Sequence, residues 1–506
     1  MKVNAVVSFE GQRDIDAAIH LTGSKSESNR ALVIAALSKG LVAVHNLSDA
    51  ADTVILNKIL TDLDVSEKAV NAGLIVEDKG VASAVKAGGE EAESSTATGS
   101  GATAGGSTAS GATTDSAITA GGETTEGITV ADSAVTVSGA TTDSSTVAHG
   151  EAVEVNAGRK LVNVGHAGTA MRFLTAYLST LPQQFTLTGS GRMQERPIGI
   201  LVDALRTLGA DISYEKNEGY PPLLINGGLS STLSEVTIKG NVSSQYLSAL
   251  LIIAPTLPAG LSLHIEGGLT SRPYLEMTLN MLGTVGISHT WENDTIHIPH
   301  QQHKEALLTV EPDWSAASYW YSIAALAEKA SITLPNLKEE SLQGDSAIQQ
   351  IMVDLGVATT HISNGIQLVS APEQPITTVM NLKDCPDLAQ TIIVCAAAKG
   401  LNLAFTGLET LKIKETNRVL ALQNELAKIG VVLVEDNEVY TLDCAGLHFP
   451  DKITISTYDD HRMAMAFAPL SLLIREVEIE DYQVVEKSYP DFWKDLEKAG
   501  FTVKEV

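Results

Sequence analysis

Apolar positions along the chain fall into two kinds of helix. The first is amphipathic and ends in a Leu- or Ala-containing turn, then Gly, then a β-branched run: LVDALRTLGADI around Gly209, LNMLGTVGIS around Gly286, IMVDLGVATT around Gly356, LQNELAKIGVVL around Gly430 and LEKAGFTV around Gly500. Each glycine stands where a C′ residue would release a helix into a strand. Successive glycines lie 77, 70, 74 and 70 residues apart, a period that predicts repeated α/β units. A weaker copy, LNKILTDLDV, places Asp64 at the corresponding point, 145 residues before Gly209. That gap is about two units, so six units are predicted, the first carrying roughly 70 surplus residues.

The second kind of helix is apolar almost all round and predicts burial. Six such segments occur: SNRALVIAAL, AGTAMRFLTAYLS, SSQYLSALLIIAP, WSAASYWYSIAAL, PDLAQTIIVCAAA and DHRMAMAFAPLSLL. Their polar residues gather at the N-terminal ends: Lys25, Ser26 and Arg30; Gly168, Thr169 and Arg172; Ser243, Ser244 and Gln245; Asp313 and Ser315; Asp387; Asp460, His461 and Arg462. Helix N-termini present unpaired N–H groups and partial positive charge, so convergence of these ends predicts one anion-binding cleft.

Composition changes this picture in one stretch. The chain has 506 residues, 44% hydrophobic, enough for two to four domains. From about 81 to 150 it becomes rich in Gly, Ala, Ser and Thr, and between Lys86 and Arg159 it has no lysine, arginine or aromatic residue. SGATTDS begins at Ser110 and again at Ser138. Such a stretch cannot build an ordinary core, and it coincides with the surplus length, so residues 81–150 read as an insertion that is disordered or weakly β-structured.

The 61 acidic against 34 basic side chains give a net charge of −27, which argues against nonspecific nucleic-acid binding. Anionic ligands then need a local basic pocket. Cys385, Cys395 and Cys444 form no CxxC pair or disulfide framework, no apolar run approaches the length of a membrane span, and MKVNAVVSFEGQRD lacks a signal-peptide core. A soluble, cytoplasmic protein without membrane association is expected.

The candidate chemistry lies in short motifs. HLTGSKSESNR (20–30) offers a Gly turn, hydroxyls, Lys25 and Arg30 at a helix start, which suits phosphate, but Ser24 occupies the position where a P-loop needs Gly. GHAGTAMR (165–172) repeats that design, and RMQERP (192–197) adds two arginines. SSQ (243–245) and SRPY (271–274) supply hydroxyls, and KETNR (414–418) puts two cations four apart with a carboxylate between them. YDDHR (458–462) lacks a companion cluster at ligand spacing, so no metal is expected. KSYP (487–490) completes the set. Taken singly, each motif reads equally as a capped helix, a turn or a surface ion pair.

Together and in order, GSKSESNR, GHAGTAMR, RMQERP, SSQY, SRPY, KIKETNR, YDDHRMAM and KSYPDF closely resemble the 3-phosphoshikimate 1-carboxyvinyltransferase (EPSP synthase) family, from about Leu21 to Phe492. The resemblance implies a two-domain inside-out α/β barrel of six βαβαββ units. It places one domain at residues 1–23 plus 312–506 and the other at 24–311, with the 81–150 insertion in the latter. It implies transfer of the enolpyruvyl group of phosphoenolpyruvate to the 5-hydroxyl of shikimate 3-phosphate on the route to chorismate, by a monomer without cofactor. Carried over residue by residue, the shikimate 3-phosphate site comprises Lys25, Ser26, Arg30, Ser243, Ser244, Gln245, Ser271, Tyr274, Asp387, Thr410 and Lys414. The phosphoenolpyruvate site comprises Lys25, Gly168, Arg192, Gln245, Arg418, Arg462 and Lys487.

Asp387 is the candidate base and Glu415 the candidate acid, with Lys25 sharing proton transfer or stabilising phosphate. Three positions depart from the family pattern: His166 replaces a frequent Asn, Phe173 a frequent Pro and Thr410 a usual Asn. Two alternatives stand beside this reading. One is the related transferase acting on UDP-N-acetylglucosamine, which typically carries a reactive Cys in the first half of the chain, whereas the first here is Cys385. The other is an inactive structural protein that displays the insertion.

Overall fold

The computed structural model describes residues 2–63, 153–156, 159–229, 232–373 and 378–506. Asp64 and the 81–150 stretch lie outside the described residues. One unit shows the repeat in full. Strand Glu235–Lys239 pairs in parallel with Leu261–Glu266 across the Ser244–Ile253 helix, and the Arg272–Thr284 helix then leads into the antiparallel strands Thr290–Glu292 and Thr295–Ile298. The same βαβαββ order recurs from Arg159 to Asn226 and from Val379 to Asp443.

Strands distant in sequence complete the other units. Asp14–Ala18 runs parallel to Lys329–Pro335, Ala5–Ser8 lies antiparallel between Glu476–Ile479 and Thr502–Glu505, and Ala306–Thr309 runs parallel to Val42–His45. The five repeat glycines, Gly209, Gly286, Gly356, Gly430 and Gly500, have φ from +74° to +97°. A β-carbon strains that conformation, which is why the pattern marks the helix ends so cleanly.

The apolar helices are interior. All ten residues of Ala389–Ala398 and twelve of thirteen in Trp314–Leu326 are buried. They pack beneath sheets that supply alternating inward residues, such as Val236 and Ile238 or Leu433, Tyr440 and Leu442. Each fully buried Leu or Ile contributes about 2 kcal/mol from removed apolar surface. Four of the six apolar helices carry side-chain caps: Ser24, Ser243, Asp313 and Asp460 accept from the amides of Glu27, Gln245, Ala316 and Arg462. The helices that follow Ala167 and Leu388 have no side-chain cap.

These residues form two hydrophobic cores, one drawn from Val7 to Leu21 and Trp314 to Phe501, the other from Ala31 to Val310. The chain passes between them at residues 22–24 and 311–313. There the Ser24 amide donates to the Glu311 carbonyl at 2.7 Å and the Asp313 amide to the Thr22 carbonyl at 3.0 Å. Gly23 is required at this crossing, because a β-carbon would lie 2.3 Å from the Asn46 carbonyl oxygen.

Beside the crossing sits a buried acid pair. Glu27 Oε2 accepts the Glu311 amide at 2.9 Å, while Oε1 is buried without a partner. Burial pushes the Glu27 carboxyl up to about 7, against the Glu311 amide that favours its charged form. Glu311 is better satisfied, since its oxygens accept from Trp314, Lys338 and Ser341.

Candidate active site

The N-terminal ends of the apolar helices meet at a cleft of about 1070 Å³, its mouth included, between the two cores. Lys25, Ser26 and Arg30 come from one helix, Gly168, Thr169 and Arg172 from the next, and Ser243, Ser244, Gln245 and Tyr246 from a third. Ser271 and Tyr274 line the same face. Asp387, Thr410, Lys414, Glu415, Arg418, His461 and Arg462 form the opposite wall. Ser315, from the remaining apolar helix, opens onto a small adjoining pocket together with Lys25 and Arg462. Seven Lys or Arg side chains line the main cleft against the carboxylates of Asp52, Asp387 and Glu415. The acidic chain thus has a basic interior surface.

Two predicted residues, Arg192 and Lys487, are absent from the main lining but converge on one of its members. Arg192 Nε donates to the Glu415 carbonyl at 3.1 Å, and Lys487 Nζ lies 3.0 Å from Glu415 Oε1. Arg418 Nη2 donates to Glu415 Oε2 at 3.0 Å, with Arg196 at 3.7 Å from Oε1. Burial favours the neutral acid, but Lys487, Arg418 and Arg196 overrule it and hold the Glu415 carboxyl well below the usual range.

Asp387 is held in the same way. It accepts from Arg462 Nη2 at 2.9 Å and Arg418 Nη1 at 3.3 Å, with Lys414 Nζ at 3.7 Å. Its burial is likewise outweighed, by Arg462 first and then Lys414 and Arg418, so its carboxyl lies far below the ordinary value. Asp460, fully buried, clamps Arg418 through Nε at 2.7 Å and Nη2 at 3.3 Å. Burial pulls the Lys414 ammonium down, opposed by Asp387.

Arg30 is placed in the cleft but is heavily engaged. It donates to Thr278 Oγ1 and the Ser26 carbonyl at 2.8 Å each, Ser248 Oγ at 3.1 Å and the Tyr274 carbonyl at 3.3 Å. Four of its five N–H groups are thereby used, leaving one on Nη1. Phe173, one of the departures, packs 5.5 Å beneath this guanidinium. His166 is exposed and bonds Ser190 Oγ at 3.1 Å, whereas Thr410 lines the cleft.

Motif reading expects Gly168 to let a ligand approach the backbone; the structure adds a nearer reason. A β-carbon there would lie 2.7 Å from Arg196 Nη1 and 3.3 Å from Arg172 Nη1, so the glycine makes room for two arginines. Arg172 and Arg196 are 4% and 9% exposed, and each Nε is buried without a partner. Burial, reinforced by Arg196, pulls Arg172 down to about 10. Such a like-charged buried pair is costly unless an anion joins it. Neither arginine is among the predicted ligand contacts, although both stand inside quoted motifs. His461 and Asp52 are further lining residues outside that set.

Helix ends, hydroxyls and paired arginines on one wall, facing carboxylates held by cations on the other, make a cleft suited to polyanions in an α/β enzyme. The EPSP synthase (3-phosphoshikimate 1-carboxyvinyltransferase) family model matches residues 9–124 and 134–496. A 3-phosphoshikimate 1-carboxyvinyltransferase of Bacteroides fragilis is 40% identical over 492 residues, covering 97% of each chain. One from Methanospirillum hungatei is 35% identical over 344 residues, covering 67% of this chain and 78% of the relative. The chain belongs to the EPSP synthase family. A solved EPSP synthase of Acinetobacter baumannii, 17% identical, superposes with a TM-score of 0.66 over 99% of this chain and 100% of that one, so the inside-out α/β fold is shared.

Proposed function

We propose that the chain transfers the enolpyruvyl group of phosphoenolpyruvate to the 5-hydroxyl of shikimate 3-phosphate, releasing phosphate, with the motif residues in the roles set out above. The observation that carries this reading is the buried pair Arg172 and Arg196 beside Gly168, each with an unpartnered Nε, which shares the cleft with Asp387 and with Glu415, 3.7 Å from Arg196. Both substrates carry a phosphate and a carboxylate, which suit arginine forks.

In this reading ligand charge sets the proton chemistry. Asp387 and Glu415 are weak bases while cations hold them. When substrate anions draw Arg462, Lys414, Arg418 and Lys487 toward themselves, both carboxyls become more basic. Asp387 then takes the proton of the 5-hydroxyl as its oxygen attacks C2 of the enol. Glu415, protonated once its cations turn to the ligand, delivers a proton to C3, or Lys25 does so. Elimination returns the C3 proton and expels phosphate.

The two cores are read as two domains, residues 1–23 plus 312–506 and 24–311, acting in a monomer. No helix among the described residues is long and apolar enough to cross a membrane, and the cytoplasm is the proposed compartment. All three cysteines are buried, with the Cys385 thiol pushed up to about 12 by burial, which disfavours the UDP-sugar alternative and its reactive Cys. Phosphate release from phosphoenolpyruvate, measured with each acceptor, tests the assignment. Turnover with shikimate 3-phosphate alone is expected; turnover with UDP-N-acetylglucosamine alone would overturn it, and none with either would favour an inactive structural protein.

A further inference from the structure

The contact between the two walls at the start of the Arg272–Thr284 helix involves residues outside every motif. Asp345, 3% exposed, lies in the Gly344–Ala347 turn of the core that contains Trp314. Its Oδ1 accepts from the hydroxyl of Tyr274, on the opposite wall, at 3.5 Å, and its Oδ2 accepts from Ser315. Ser315 Oγ in turn accepts from Arg462 Nη2 at 3.3 Å, the nitrogen that also donates to Asp387. One carboxylate therefore touches the far wall and, through one hydroxyl, a cation of the near wall.

The surrounding surface is shaped for the same contact. A β-carbon on Gly344 would lie 2.7 Å from Pro273 Cβ and 3.2 Å from the Asp384 carbonyl oxygen. Glycine thus leaves a seat for the residue that precedes Tyr274. The Ser271 amide donates to the Lys383 carbonyl at 3.1 Å, tying the same helix start across the cleft.

We propose that Asp345 is a positioning residue that seats the Ser271–Tyr274 helix start on the opposite wall and, through Ser315, aims Arg462 at its ligand. This rests on the site roles given above. Burial and then the charge of Asp387 push the Asp345 carboxyl up to about 7, with Arg462 and the Ser315 hydroxyl opposing and Asp313 adding to the rise; Tyr274 and the Cys385 thiol also face it. As pH falls through that value the carboxyl gains a proton and accepts less well, so its hold on the two hydroxyls weakens.

The test is Asp345→Asn in the full chain, with kinetics, thermal melting and hydrogen exchange measured together. Melting should be nearly unchanged, KM for both substrates should rise about tenfold, and kcat should fall by less than about threefold. The variant should also lose a fall in kcat/KM below about pH 7; the substrates' own titrations are common to both proteins, so the difference between profiles isolates Asp345. Amide exchange at Ser271 should quicken about tenfold. Wild-type KM, pH profile and Ser271 exchange in the variant would overturn the proposal. If Asp345→Asn does not fold, Gly344→Ala puts a methyl group in the seat and should raise both KM values; unchanged KM values there would overturn it equally. Should the wild type itself fail to saturate with shikimate 3-phosphate, the site roles fall, while the Ser271 exchange difference still decides this inference.

Discussion

The two walls of the cleft solve opposite electrostatic problems. The wall from residues 25–274 carries Arg172 and Arg196 with buried, unpartnered Nε groups and hydroxyls at helix starts. The wall from residues 386–462 carries a dense lattice in which Arg418 alone contacts Asp387, Glu415 and Asp460. The first wall has donors waiting for an anion. The second is already neutralised, and in the proposed mechanism a ligand must prise it open. In the proposed mechanism binding and proton transfer are divided between the walls: spare donors attract substrate, and the rearranged lattice supplies basic carboxyls.

This division can be broken most strongly at the carboxylates. Asp387→Ala and Glu415→Gln should each lower kcat by at least about a hundredfold in steady-state assays; near-normal turnover in either removes that residue from proton transfer. On the other wall, Arg196→Met should act differently, raising KM for phosphoenolpyruvate about tenfold with melting temperature little changed, because a like charge beside Arg172 is lost together with a 3.7 Å contact to Glu415. A large kcat loss with unchanged KM would erase the contrast between the walls.

The junction between the cores offers a separate check. Glu27 has a raised pKa, so its charged form is the one the fold disfavours, and its burden grows as pH rises from 4.5 to about 7. Glu27→Gln should therefore stabilise the protein by about 1–2 kcal/mol at pH 8 and by almost nothing below about pH 4.5, read from denaturant melts. A gain equal at both pH values would place the effect in packing. The smallest effect is expected at His166: exposed and, among the described residues, bonded through its side chain to Ser190, it should tolerate Asn with less than about a threefold change in either KM.

Much of the fold was legible in the sequence because its signals are local. A positive φ after a helix selects glycine, as at Gly209 or Gly430, and an interior helix such as Ala389–Ala398 must be apolar on every side. The helix N-termini were legible for the same reason. What escaped reading was pairwise and tertiary. No spacing rule relates Arg196 to Gly168, or announces that Arg30 has only one N–H group left. Asp345 stands in an unremarkable turn, and its meaning comes from Tyr274 and Ser315, 71 and 30 residues away.

The central claim is that substrate charge makes the carboxylates of the closed lattice more basic, and Asp387 reports it most directly. Its side-chain carboxyl carbon, labelled with carbon-13 and assigned by its loss in Asp387→Asn, can be titrated from about pH 8 to pH 4 with and without shikimate 3-phosphate. The account predicts that Asp387 remains ionised throughout in the free protein and takes up a proton within this range when the ligand is bound. A carboxyl that stays ionised in both, or titrates at the same pH in both, would contradict it.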